Sequence, residues 1–149
     1  MKKFYLILVV IALIFQSCND DCNQECFTPP QSFSFELVDK TTGENLFTNG
    51  TYAAENIEII DVLNDDEPVT FTFVSEDDIN IIDIGSIGWE TEIVNLKISV
   101  SEIHIFDFKV DAERKDGDCC SFTAYNDIAV TASEFELDSD TGIYKILVE

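Results

Sequence analysis

Thirty carboxylates, five cysteines, one histidine and one tryptophan are the side chains of this 149-residue chain with chemistry to offer. The cysteines are the most constrained by spacing. Cys22 and Cys26 stand together near the start, while Cys119 and Cys120 are neighbours far along the chain. Zinc knuckles favour cysteine pairs with two residues between them. Here one pair has three residues between and the other has none, so disulfides fit better than a four-cysteine zinc site. Four cysteines permit three pairings. The two long-range ones are expected, because a Cys119–Cys120 bond would strain the backbone and constrain almost nothing. A bridge closing so long a loop contributes about 4–5 kcal/mol in the chain-entropy model.

The other candidates are weaker. His104 lies within Glu102-Ile103-His104-Ile105-Phe106, and no motif sets a serine or cysteine beside it. No Gly-x-Ser-x-Gly elbow occurs, so a plain strand histidine is expected and no catalytic residue is assigned. Glycoside hydrolysis needs two carboxylates at a defined separation, and thirty of them single out no pair. Asp138-Ser139-Asp140-Thr141-Gly142, with Glu149 beyond, echoes an EF-hand loop, but the glycine falls one position early and Ile143-Tyr144-Lys145-Ile146 reads as a strand. A looser Ca²⁺ site at Asp138 and Asp140, or at Asp65, Asp66 and Glu67 with Glu76, Asp77 and Asp78, is the one cofactor alternative. No metal site is assigned. Trp89, in Gly85-Ser86-Ile87-Gly88-Trp89, fits either a strand-end core position or a loop aromatic that contacts a sugar or protein ligand. The core position is the favoured reading. No helix or lysine follows the two glycines, which excludes a phosphate loop.

Cys18 belongs to a different kind of segment. Lys2 and Lys3 precede twelve apolar residues, Phe4 to Phe15. A membrane-spanning helix takes about twenty, so the run reads as the apolar region of a cleavable export signal, with the small Ser17 before the cysteine. Phe15-Gln16-Ser17-Cys18 resembles a relaxed lipobox of bacterial lipoproteins, a resemblance covering residues 1–21. It implies cleavage before Cys18, a thioether-linked diacylglycerol on Cys18, and usually an N-acyl chain. At about 0.8 kcal/mol per buried methylene, two or three such chains anchor a protein stably. Asn19-Asp20-Asp21 resembles the surface-export signal of Bacteroidota-type lipoproteins. That implies the outer membrane with the domain displayed at the cell surface, an anchor facing the periplasm being the alternative. Setting Cys18 aside leaves an even set of four cysteines, as expected in an oxidising compartment.

Composition excludes some functions. Lys2 and Lys3 leave with the signal, so six basic side chains face thirty acidic ones, a balance of −24. Such a surface repels phosphate backbones, and no nucleic-acid partner is expected. Nor is the charge a mark of disorder, since only Phe4 and Phe15 of the twelve phenylalanines lie in the signal and Ile and Val are dense elsewhere.

Positioning these residues falls to β-strands. Phe33, Phe35 and Leu37 alternate with polar or outward neighbours, as do Val69, Phe71 and Phe73, then Phe106, Phe108, Val110 and Ala112, then Phe135 and Leu137. A period of two with one apolar face predicts antiparallel sheets with one wet side. Strands are predicted near 33–38, 45–48, 57–62, 69–75, 79–84, 92–100, 103–113, 121–131 and 134–148, the last split by a turn. Asn49-Gly50 predicts a two-residue hairpin between Leu46-Phe47-Thr48 and Thr51-Tyr52-Ala53. Further turns are marked by Thr42-Gly43, 64–68, Asp116-Gly117 and Thr141-Gly142. Phe35-Glu36-Leu37 and Phe135-Glu136-Leu137 each precede a Thr-Gly turn, which reads as a shared hairpin grammar rather than a repeat.

The expected architecture is a signal peptide at 1–17, a lipid-anchored tether at 18–31 and one domain at 32–149. That domain is expected to be an all-β antiparallel sandwich of eight or nine short strands, Ig-like or transthyretin-like, with a small barrel as the alternative. The expected function is that of a non-enzymatic binding or accessory module, held to the membrane by the lipid on Cys18 and recognising a protein or glycan. A glycan-binding or hydrolytic exported domain, or a periplasmic accessory subunit pairing edge to edge with a larger envelope protein, are the alternatives.

Overall fold

The computed structural model describes Cys26 and residues 28–76, 79–117 and 119–149. Cys18, Asp20, Asp21 and Cys22 lie outside the described residues, as do Asp77 and Asp78. From Phe33 onward the period-two pattern becomes strand almost wherever it occurs. The strands are β1 (Phe33–Asp39), β2 (Ile57–Asp61), β3 (Glu67–Pro68), β4 (Thr72–Glu76), β5 (Ile79–Ile84), β6 (Glu92–Val100), β7 (Ile103–Asp116), β8 (Ser121–Thr131), β9 (Phe135–Leu137) and β10 (Ile143–Val148), with one 3-10 turn at Ala54–Asn56. No helix among the described residues is long and apolar enough to cross a membrane.

These strands form two five-stranded sheets, one in the order β4-β5-β1-β10-β9 and the other β3-β2-β6-β7-β8. Among the described residues no strand pairing joins the two sheets, so the fold is a β-sandwich and not the closed barrel kept as an alternative. The pairing is antiparallel except for β1 with β10, which run parallel with Phe35 opposite Tyr144 and Leu37 opposite Ile146.

The sheets meet through their alternating apolar faces. Phe35 lies 4.9 Å from both Phe106 and Phe108, and Phe33 lies 4.9 Å from Phe108, measured between ring centres. All four rings are fully buried, as are Leu96, Ile98, Val110 and Ala112. Each buried phenylalanine contributes about 1.5–3 kcal/mol of transfer free energy, enough together to fix the facing of β1 over β7.

Three expectations fail, each for a local reason. The strand at 45–48 and the Asn49-Gly50 hairpin do not form. Asn45 makes one bridge to Val38, and its Oδ1 then accepts from the backbone N–H of Phe47 and Thr48 (2.9 and 3.1 Å). The Asn49 N–H closes onto the Asn45 carbonyl at 3.0 Å, and Gly50, at φ +79°, ends this single turn. A side chain able to bond nearby backbone has outcompeted the ladder. Second, Phe135 and Leu137 are exposed (41% and 52%) although their partners Ile146 and Tyr144 face inward. β9 is the outermost strand of its sheet, so its inward face lies at the open margin of the sandwich. Third, the strand expected from residue 69 begins at Thr72, with Glu67–Pro68 forming a short separate edge beside β2.

Candidate functional site

Among the described residues a set of long-range polar contacts gathers at the end of the sandwich where β1 begins. Three segments converge there: residues 28–31, the 85–91 loop between β5 and β6, and Gly117, Cys119 and Cys120 between β7 and β8. Cys26 is disulfide-bonded to Cys120, 94 residues away, with Cα atoms 5.2 Å apart. Cys119 is disulfide-bonded as well. Cys22, expected to share in the long-range pairing, lies outside the described residues.

Behind the disulfide, side chains hold the leader. Nη1 and Nη2 of Arg114 both donate to the Thr28 carbonyl at 3.2 Å, and Nη1 also donates to Thr123 Oγ1 at 2.9 Å. The Thr123 hydroxyl donates in turn to the Gly88 carbonyl at 2.6 Å. Tyr125 Oη accepts from the Gln31 N–H at 3.1 Å, while its ring packs edge-on against Phe33 at 5.4 Å. Burial pushes the Tyr125 phenol above its ordinary pKa. The Gly88 N–H donates to Glu92 Oε1 at 2.6 Å. Gly88 has φ +93°, and a Cβ there would lie 2.7 Å from Thr123 Cγ2 and 3.5 Å from Pro30 Cβ. Glycine is therefore required twice over, by conformation and by space. Residues 28–31 are thus held to the domain at Thr28, Pro30 and Gln31.

Trp89 follows Gly88 and is 46% exposed, so the core position favoured from the sequence does not hold. Its Nε1 donates to the Gly85 carbonyl at 3.1 Å, which fixes the indole on the surface of this loop. Phe122, next to Thr123 on β8, is also exposed, at 43%.

The remaining candidates lie apart from this end or serve local structure. His104 is an exposed strand residue, its Nε2 3.1 Å from Asp107 Oδ1. Asp138 Oδ1 accepts from the backbone N–H of Asp140 and Thr141 at 2.9 and 3.2 Å, closing the turn between β9 and β10. Asp39 does the same for Thr41 and Thr42 at 2.9 and 2.7 Å. These backbone bonds lower both carboxyls below the ordinary 3.8. Asp65 and Asp66 turn the chain between β2 and β3 at φ +51° and +58°. Among the described residues no group of three or more His, Cys, Asp or Glu converges as a metal site. Asp61, only 8% exposed, went unnoticed in the sequence; its Oδ1 accepts from Leu63 and Asn95 N–H at 3.1 and 3.0 Å. With Glu67, Thr70, Ser86 and Glu92 it lines an open cavity of about 250 Å³.

Sequence reasoning located the cysteines but missed Arg114, Thr123, Tyr125 and Gly88, whose partners are remote in the chain. In comparison with known proteins, no family model matches the chain, and neither a curated protein nor a solved structure is found similar to it.

Proposed function

We propose that the protein is a lipid-anchored outer-membrane lipoprotein, displayed at the cell surface, whose sandwich acts as a non-enzymatic binding or accessory module. The observation that carries this reading is the lipobox-like Phe15-Gln16-Ser17-Cys18 behind its short apolar run, with Asp20 and Asp21 following. The Cys26–Cys120 disulfide supports export, since such bonds persist in oxidising compartments. The polar groups also support a non-enzymatic role. Asp61, Glu92, Asp39 and Asp138 each hold backbone N–H groups, which is structural work.

A second observation favours an accessory subunit that pairs edge to edge with an envelope partner. β8 is eleven residues long, carries one charged residue, Asp127, and has no described strand on its outer side. Edges of that length offer unpaired backbone groups to an incoming strand.

The test is protease shaving of intact cells, followed by mass spectrometry of the released and retained fractions. The expected result is release of a fragment containing residues 32–149, with lipidated Cys18 retained on the cells. Protection until the outer membrane is opened would replace surface display with a periplasm-facing anchor. An unmodified Met1 or an unlipidated Cys18 would overturn the anchor itself.

A further inference from the structure

We infer that the end of the sandwich bearing Trp89 and Phe122 rests on the lipid surface, with these two aromatics inserted at the membrane–water interface. The inference builds on the lipid-anchor reading and adds an orientation and a contact surface to it.

Four observations converge. The chain enters the domain at Cys26, bonded to Cys120, which is two residues from Phe122. Thr28 and Gln31 are then held by Arg114 and Tyr125, so the entry point is fixed on the domain. Only eight residue steps separate Cys18 from Cys26, and at about 3.3–3.6 Å each they span at most about 29 Å. β7 alone, with 14 residues at roughly 3.3 Å each, is about 46 Å long. A lipid on Cys18 therefore keeps the Cys26 end close to the bilayer, whatever path the intervening residues take.

That end exposes the chain's one tryptophan and also Phe122, which adjoins Thr123 in the chain while Trp89 adjoins Gly88, the residue whose carbonyl Thr123 bonds. The exposure of Phe122 is imposed by the strand. Asn126 is skipped in the register with β7, because Asp111 pairs with Asp127 and Ala112 with Tyr125. This bulge reverses the strand's parity, turning Thr123 and Tyr125 inward to the clamp and Phe122 outward. Without it Phe122 would share the inner face of Ile128 and Val130.

Aromatic side chains concentrate at membrane–water interfaces because one part of the site is apolar and the other wet. Lys115, cross-strand from Phe122, and Arg114 are two of the six basic residues after Cys18. Glu90 follows Trp89 in sequence and Asp116 follows Lys115, pairing with Ser121 next to Phe122, so the surface suited to this end is zwitterionic rather than anionic. Two aromatics bind a bilayer weakly on their own. Tethering makes the contact intramolecular, and its effective concentration compensates for the low affinity.

Trp89 is the reporter, being the chain's sole tryptophan. The full lipidated protein is reconstituted in phosphatidylethanolamine–phosphatidylcholine vesicles, its lipid confirmed by intact mass and its attachment by flotation. The expected result is a blue shift of Trp89 emission and quenching by brominated acyl chains, both weakened in Phe122→Ser. Melting of Phe122→Ser should match the parent, since Phe122 is a surface residue. A protein that carries its lipid and floats with the vesicles, yet shows unshifted and unquenched emission, overturns the inference and leaves the anchor standing. A blue shift that appears only when envelope proteins are added also overturns it, by giving this end a protein partner. Absence of lipid on Cys18 overturns the anchor reading instead.

Discussion

Gly88 shows at single-residue scale how closely the leader and domain are fitted. An L-residue at φ +93° is strained, and a methyl group there would lie 2.7 Å from Thr123 Cγ2. Gly88→Ala is expected to cost about 2–3 kcal/mol, combining left-handed strain with displacement of the Thr123 hydroxyl from the Gly88 carbonyl. Urea unfolding measures this, and a loss below about 0.5 kcal/mol would mean that the loop moves aside freely. Asp39 and Asp138 supply a second prediction. Each accepts two backbone N–H bonds in a turn that ends on a glycine, Gly43 or Gly142, with positive φ. These bonds favour the ionised form, so the folded pKa lies below the unfolded value. The stabilisation is therefore complete above the ordinary 3.8 and is lost as pH falls through the lowered folded value. Carboxyl NMR titration should place both residues below 3.8. Either residue titrating at or above it would show that its turn is open in solution.

β8 is the element in which local pattern and final structure part company. Its sequence places Phe122, Ala124, Ile128 and Val130 in one parity, which predicts a single apolar face. Asn126, skipped in the ladder, splits that parity: Ile128 and Val130 stay on the inner face, and Tyr125 and Thr123 replace Ala124 and Phe122 there. Deleting Asn126 should therefore give a regular ladder with Asp127 still outward and Tyr125 still inward. The expected cost is about 1 kcal/mol or less. Deleting Ala124 instead moves Thr123 to the outer face, breaks its bonds to Arg114 and Gly88, and should cost at least about 2–3 kcal/mol. Thermal melting of the two deletions compares them directly, and equal losses would deny the bulge its role. The same contrast explains what could be read beforehand. β1, β6 and β7 were legible because burial on one face writes a period of two into the chain. The Cys26–Cys120 bond was legible from the poor fit of the cysteine spacing to zinc and the futility of a neighbour bond. The Asn49-Gly50 turn was misread because Asn45, four residues earlier, captures the backbone with its side chain. The clamp was illegible because Arg114, Tyr125 and Gly88 acquire their roles only when β7, β8 and the 85–91 loop meet.

Charge decides behaviour at the scale of the whole molecule. Within residues 32–149, twenty-seven carboxylates share the small sandwich with six basic side chains. The ion pairs of Lys40 with Glu134 and Glu149, Lys109 with Asp127, and Lys115 with Glu113 are all exposed. Pairs of that kind contribute at most about 1 kcal/mol each. Among the described residues most carboxylates thus form no ion pair, and their mutual repulsion opposes the compact state. Salt should relieve it: raising ionic strength from about 10 to 150 mM shortens the Debye length from roughly 30 to 8 Å, less than the width of the domain. Melting temperature is expected to rise across that range, the reverse of a fold held by surface ion pairs. The same titration discriminates general screening from a calcium site at Asp138 and Asp140 or at Asp65, Asp66 and Glu67. Both aspartates of the first pair border a turn whose backbone already occupies Asp138. Ca²⁺ and Mg²⁺ at matched ionic strength should therefore raise the melting temperature equally. A rise specific to Ca²⁺ would show that one of these turns reorganises into an oxygen cage, because screening alone does not distinguish two divalent ions of equal charge.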